Sequence, residues 1–377
     1  MRWLMVALTL SALVTNARAD ELTPEESAIQ IHGFVSQGAL LTSDNNFLAN
    51  TERGSFEFSE GAITITKQLD SKLRVGFQLF ARDLGPLGNY SAKFDWFNLD
   101  YHWRDWLGVR AGRVKIPWGL YNDSADVDAA HAVVLLPQSI YSIANRDFLL
   151  AQTGVEIYGY RRIGALGALD YRAFAGTVYL QLPATPAVMY SNEDVPYIVG
   201  TRVAWETPAP GLRVVGSVYG AELSADAVQP GVPFTLHPVQ QSKGVMASLE
   251  YTADALVVAA EYSRGHSEVT VPLPGMPPSV SAVTAEGGYL MASYRLAPWI
   301  QPAMYYSFSY PNVGNRDGSA QHSHDSAASL RFDITPNWIL KIEGHAVRGT
   351  AGVTEAMNPD GRSNRWYLLA AKTTVYF

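Results

Sequence analysis

The sequence predicts an all-β fold: a transmembrane antiparallel β-barrel of about sixteen strands with an inward-folded third external loop. Three observations point there. Segments that alternate apolar and polar residues recur along almost the whole chain, the joints between them alternate between short and long, and Tyr and Trp gather beside the short joints. Side chains of a strand repeat every two residues, so alternation this regular marks sheet rather than helix.

The first residues read as an export leader. Arg2, the apolar run 3–14 and Ala17-Arg18-Ala19 match the charged, apolar and small-x-small parts of a signal peptide, which predicts a signal peptide at 1–19 and a mature chain from Asp20. Removing Arg2 and Arg18 takes the formal charge from −7 to −9, which argues against a nucleic-acid partner. The chain has no cysteine, so disulfides, thiolate metal sites and cysteine nucleophiles are excluded. Beyond the leader no window approaches the ~18 uninterrupted apolar residues of a helical membrane span.

The alternating segments fall at 29–42, 54–68, 71–85, 91–105, 106–120, 152–162, 168–180, 197–206, 211–223, 243–253, 255–268, 286–297, 299–312, 324–335, 338–350 and 365–377. Short joints lie at 69–71, 104–106, 162–168, 207–211, 253–254, 297–298 and 336–337. Longer joints rich in Gly, Pro, Asn and Ser lie near 43–53, 86–90, 121–151, 181–196, 224–242, 269–285, 313–323 and 351–364. Strands running up and down through a slab produce this asymmetry. About 10–14 residues at ~3.3 Å each, tilted by ~40°, cross a hydrocarbon layer of ~25 Å. Tyr101, Trp103, Trp106, Trp205, Tyr251, Trp299 and Trp338 sit near the short joints, where an apolar ring with one polar atom suits the boundary of lipid and water.

In "KLRVGFQLFAR" (72–82) the barrel reading turns Leu73, Val75, Phe77 and Leu79 outward to lipid and Arg74 and Gln78 inward to water. The same parity, strand by strand, places Lys72, Arg74, Arg82, Asp100, His102, Glu156, Arg162, Arg172, Arg202, Arg213, Glu250, Glu261, Arg331, Lys341, Glu343, His345 and Lys372 on the inner face. A charge on the lipid face near mid-bilayer costs ~2–4 kcal/mol, so this many on one parity implies water there. Simple alternation fails in "VRAGRVKIPWGLYND" (109–123), where a bulge at Gly112 is expected to shift the phase and bring Arg110, Arg113 and Lys115 all inward. The longest joint, 122–151, carries Asp123, Asp126 and Asp128 and then an apolar patch at 133–136. A solvated loop has little use for that patch, so the loop is expected to fold back onto the barrel wall.

"AGRVKIPWG" followed by the long acidic loop after the fifth strand resembles Gram-negative outer-membrane porins of the sixteen-stranded kind, and "GRVKIPWGLYND…LPQSIY" is similar to the phosphate-selective porin O and P type. The resemblance implies that the loop narrows the channel. It also implies that Asp123, Asp126 and Asp128 face Arg74, Arg110, Arg113 and Lys115 across the bore, setting a transverse field that favours hydrated solutes. The function implied is passive diffusion of small hydrophilic solutes, and the excess of basic inner residues points to a mild preference for anions. The partners are then outer-membrane lipid and lipopolysaccharide. The final alternating strand ends on Phe377, resembling the signal read by the barrel assembly machinery. Porins of this kind form homotrimers, but the second external loop that usually latches subunits is only "GPLGNY" (85–90) here, and a monomer stays open.

No catalytic, cofactor or metal site is expected. Two alternatives stand beside the channel: a barrel hydrolase and a surface receptor or adhesin. His102 and His345 are each alone on their strands, and no G-x-S-x-G marks a nucleophile. "QHSHD" (321–325) puts two histidines and an aspartate together, in what reads as a solvated polar loop.

Overall fold

The computed structural model describes residues 28–180, 188–232 and 234–377; the leader read at 1–19 lies outside them. Sixteen strands follow in order: β1 (Gln30–Thr42), β2 (Ser59–Gln68), β3 (Leu73–Asp83), β4 (Lys93–Arg104), β5 (Leu107–Lys115), β6 (Ala151–Arg162), β7 (Ala168–Thr177) and β8 (Met189–Glu206). The second half comprises β9 (Leu212–Val228), β10 (Val239–Ala253), β11 (Leu256–Leu273), β12 (Met276–Tyr294), β13 (Ile300–Tyr310), β14 (Ser323–Thr335), β15 (Trp338–Gly349) and β16 (Arg365–Tyr376). Each strand pairs antiparallel with its chain neighbours, and β16 returns to β1, with Val35 opposite Val375. Closure satisfies the backbone groups that an open sheet edge would leave bare in hydrocarbon.

The two parities differ as a wall between lipid and water requires. On β3, Val75 and Leu79 are exposed outward, whereas Gln78, Phe80 and Arg82 are buried on the inner side. The seven aromatics beside the short turns all stand exposed.

Three of the long joints are shorter than the sequence suggests. β8 starts at Met189, β9 runs on to Val228, β10 starts at Val239, and β11 and β12 extend to a tight turn between Leu273 and Met276. Pro277 and Pro278 are accommodated because β12 pairs with β13 only from Glu286 onward, leaving the start of β12 as an edge.

The bulge expected at Gly112 is not there. Pairing runs without interruption through Gly112, which lies opposite Asn98 on one side and Gly154 on the other. Instead Gly112 takes φ +127°, and a Cβ there would stand 2.4 Å from the Phe97 carbonyl oxygen. The chain twists at this point without gaining a residue. The bulge lies in β4, where Asp95 is the extra residue between the partners of Gln78 and Leu79. As a result Asp95 and Trp96, adjacent in sequence, both reach Gln78 on the inner side.

Candidate functional site

The segment 116–150 joins β5 to β6 and bonds to inner-face side chains in three sectors of the wall. The β3–β4 sector grips its end: Arg146 makes a paired contact with Asp95 and lies 3.9 Å from the Phe80 ring centre, while Arg82 donates to the Ile143 carbonyl (2.9 Å) and to Asp147 (3.2 Å). The β14–β16 sector grips its middle. Lys341 donates to Asp128 (2.8 Å) and to the Val133 carbonyl (2.9 Å), Thr374 donates to Asp128 (2.7 Å), and Glu343 accepts from the amides of Val134 (2.8 Å) and Leu135 (2.9 Å). The β9–β12 sector grips its start. Glu261 accepts from the Leu120 amide (2.9 Å), from Tyr289 (2.7 Å) and from the Tyr141 hydroxyl.

Apolar packing follows the same course. Leu120, Val133, Leu136, Ile140 and Tyr141 are buried against Ala204, Ala259, Ala303 and Ala327, small side chains that leave room for them, together with Val215, Met246 and Tyr289. Val134 and Leu135 pack on Leu40, Phe58, Leu84, Val347 and Leu368. Each fully buried aliphatic side chain is worth about 1.5–3 kcal/mol, so the apolar patch adds substantially to the polar grips.

Like charges directly opposite on neighbouring strands destabilise a sheet, and the inner face carries three such pairs. Arg172 faces Arg202, Arg331 faces Lys341, and Lys341 faces Lys372. Carboxylates of the segment and of the wall offset them, Asp333 taking Arg331. Asp123 pairs with Arg172 (2.5 Å), which also holds Glu156, and Asp170 takes Arg202 (3.1 Å). Asp128 lies between Lys341 (2.8 Å) and Lys372 (3.6 Å), with Glu60 completing Lys372 (2.7 Å).

The expected opposition of charges across an open bore is corrected by these contacts. Asp126 is buried against Lys115 (2.6 Å) and Gln78 (2.6 Å), Asp128 is buried on the β14–β16 side, and only Asp123 stays substantially exposed. Each carboxylate touches its partner, because the segment is long enough to reach the wall and a buried charge needs a close counter-charge. Arg113 bonds to the carbonyls of Asp95 (2.8 Å) and Asp147 (3.2 Å). Arg110 bridges Asp100 and Glu156, each at 2.9 Å, and Arg74 stands opposite Asp100. Arg331 is buried, donating to the Ala129 carbonyl (2.5 Å) and to Asp333 (2.7 Å). Three expected residues lie away from this network. Lys72 is in the turn before β3, His102 is exposed beside Asp105 near the next short turn, and Arg162 ends β6.

Sequence reasoning missed Glu60, Asp95, Arg146 and Asp147. Asp95 was hidden by the bulge that breaks parity, and Arg146 and Asp147 belong to a segment with no periodicity to read. In the segment, burial alone would raise Asp126, yet Lys115 and Arg146 outweigh it and hold the carboxyl at about 2. Burial, and then the Lys341 ammonium, push His131 down to about 4, with Nε2 against the Ser124 carbonyl at 2.7 Å.

Both ring nitrogens of His345 meet carboxylates, Asp325 and Glu343, each at 3.0 Å, which leaves neither nitrogen for a serine nucleophile. In "QHSHD", His324 points outward to Tyr306 (2.7 Å) while Asp325 points inward, and no metal-binding cluster occurs among the described residues.

The sequence matches no protein-family profile and no curated protein. Solved structures do match. OmpF of Salmonella typhi, in complex with daunomycin, superposes with a TM-score of 0.59 at 14% identity, covering 95% of this chain and 100% of its own. The anion-selective porin of Comamonas acidovorans gives 0.58 at 11% identity, covering 93% and 99%. The outer-membrane channel DcaP of Acinetobacter baumannii gives 0.56 at 10% identity, covering 96% and 100%. On closed topology, strand number and these superpositions, the chain has the Gram-negative outer-membrane porin fold.

Proposed function

We propose that this chain is a passive diffusion channel of a Gram-negative outer membrane, admitting small hydrophilic solutes with a mild preference for anions and performing no chemistry. Segment 116–150 lies across the bore and sets its width. One observation carries the reading: beneath that segment the inner face bears a belt of charge in which Arg74, Arg110, Arg172, Arg202, Arg213, Arg295 and Arg331 outnumber Asp100, Glu156, Asp170, Glu250 and Asp333. Ionised groups in such number on one side of a membrane wall need water beside them, and a ring of arginine tunes which ions pass. The similar porin of Comamonas acidovorans is described as anion-selective, in keeping with this assignment. The leader at 1–19, delivery through the strand that ends at Phe377, contact with lipopolysaccharide and assembly as a homotrimer belong to the same reading.

The test is electrical. Purified protein in a planar bilayer should conduct, its reversal potential in asymmetric KCl should carry the sign of anion preference, and deletion of residues 126–136 should raise single-channel conductance. A silent bilayer overturns the channel. A cation-selective reversal potential overturns the preference alone, and conductance unchanged by the deletion removes the segment as constriction.

A further inference from the structure

Segment 116–150 does more than narrow the bore. On every one of the sixteen strands at least one inward side chain is buried, from Ser36 on β1 to Thr374 on β16. Across β10–β13 these side chains form an unbroken row, with Ser248 opposite Glu261, Glu261 opposite Tyr289 and Tyr289 opposite Ser307. A wall residue beside an open aqueous path keeps a wet side, so burial around the full circumference means that the segment seals the section.

The seal is not held equally on all sides. Residues 128–135 are fixed by the buried ion pair of Asp128 with Lys341 and by Glu343 on the Val134 and Leu135 amides. Residues 143–147 are fixed by Arg146 on Asp95 and by Arg82 on the Ile143 carbonyl. Between these anchors lies "LPQSIYS" (136–142), which has no charged side chain. It is a self-contained turn: the Pro137 carbonyl accepts from the amides of Ile140 (3.1 Å) and Tyr141 (2.9 Å), and Gln138 donates to the Leu136 carbonyl (2.7 Å) and accepts from the Ile143 amide (3.0 Å).

The turn meets the wall through neutral hydroxyls. Ser139 donates to the Gly288 carbonyl (3.2 Å) and accepts from the Ser307 hydroxyl (2.8 Å), while Tyr141 donates to Glu261. Glu261 is buried with no ion-pair partner among the described residues, its bonds coming from Tyr141, Tyr289, Ser248 and the Leu120 amide. A buried carboxylate without a counter-charge gains from water, whereas the ion pairs at the two anchors lose by separation. The wall behind the turn is low, since a Cβ at Gly287 would stand 2.7 Å from the Ser139 carbonyl oxygen. Withdrawing the turn therefore leaves a gap that water can fill.

We propose that residues 136–142 are a gate: seated on β11–β13 they shut the bore, and solutes pass when the turn swings off that wall while the anchors at 134–135 and 143–146 stay in place. The inference rests on the channel reading above and adds that the resting bore is closed, so that conduction comes in brief openings.

The test is a reversible lock. The chain has no cysteine, and the hydroxyls of Ser139 and Ser307 are near enough for a disulfide to join the two positions in the double variant S139C/S307C. Oxidised, with the bridge verified by intact mass, this variant should conduct at least tenfold less in a planar bilayer than after dithiothreitol, and the conduction regained shows that the barrel is folded. Tyr141→Phe, which removes the bond to Glu261, should lengthen the mean open time at least threefold. Equal conductance of the bridged protein before and after reduction overturns the gate and leaves the channel assignment standing. A mean open time in Tyr141→Phe unchanged from wild type overturns it too. Silence of both the wild type and the reduced variant removes the channel assignment and the gate with it.

Discussion

Asp128 shows how one carboxylate can hold a long segment. Its burial would raise it, but Lys341 and Lys372, with hydrogen bonds from Lys341 and Thr374, keep it ionised well below the usual carboxylate range. Removing one partner of a buried pair costs about 3–5 kcal/mol because the remaining charge is left uncompensated. In Asp128→Asn, Lys341 and Lys372 would face each other with only Glu60 between them and solution. The expected outcome is a lower temperature for heat-modifiable migration and a larger, noisier single-channel conductance; wild-type values for both would show that Asp128 is no anchor. Acid acts on the same segment in two stages. His131 is held at about 4 against an ordinary 6.5, so its neutral form stabilises docking fully above 6.5, and that contribution falls as pH drops from 6.5 to about 4. Asp126, held at about 2 against 3.8, adds stability that is complete above 3.8 and is lost as pH falls through about 2. Amide protection factors across 119–141 should therefore fall between pH 6.5 and 4, and His131→Phe should abolish that first stage while leaving the second.

At the scale of elements, the strands were legible where a membrane imposes contrast between their faces and illegible where it does not. The outward Val75 and Leu79 against the inward Gln78 and Arg82 write a period of two into β3. Residues 276–283 of β12 are exposed throughout, so both faces meet water, nothing selects an apolar parity, and the sequence reads as a Pro-rich loop. The inner basic residues and their wall partners Asp100, Glu156 and Glu250 could be placed by parity, but the partners from the segment could not, since Asp128 and Lys341 are joined only by the fold of a segment that has no repeat. Parity also misled at β5, where its failure suggested an inserted residue. The geometry is solved by a glycine conformation instead, and this is testable. Gly112→Ala places a Cβ 2.4 Å from the Phe97 carbonyl at a φ that L residues rarely adopt, so it should destabilise the barrel by more than about 1 kcal/mol in urea unfolding. A neutral result would mean that the backbone relaxes there at no cost.

For the whole molecule, the wall and its contents are built on opposite rules. Across the middle of the strands the outward surface is apolar, as at Val75 and Leu79 on β3, while the inner one is a mosaic in which arginines and lysines are matched by acids drawn partly from the wall and partly from segment 116–150. That division lets conduction and lipid contact be altered separately by substitution. The pairing of β16 with β1 has a further outcome for how the protein comes to exist. In a cask the first and last staves are neighbours, and the hoop tightens only when both are in place. A barrel lacking either of these two staves would present two raw margins to the bilayer, so the wall is sealed only once both are in place.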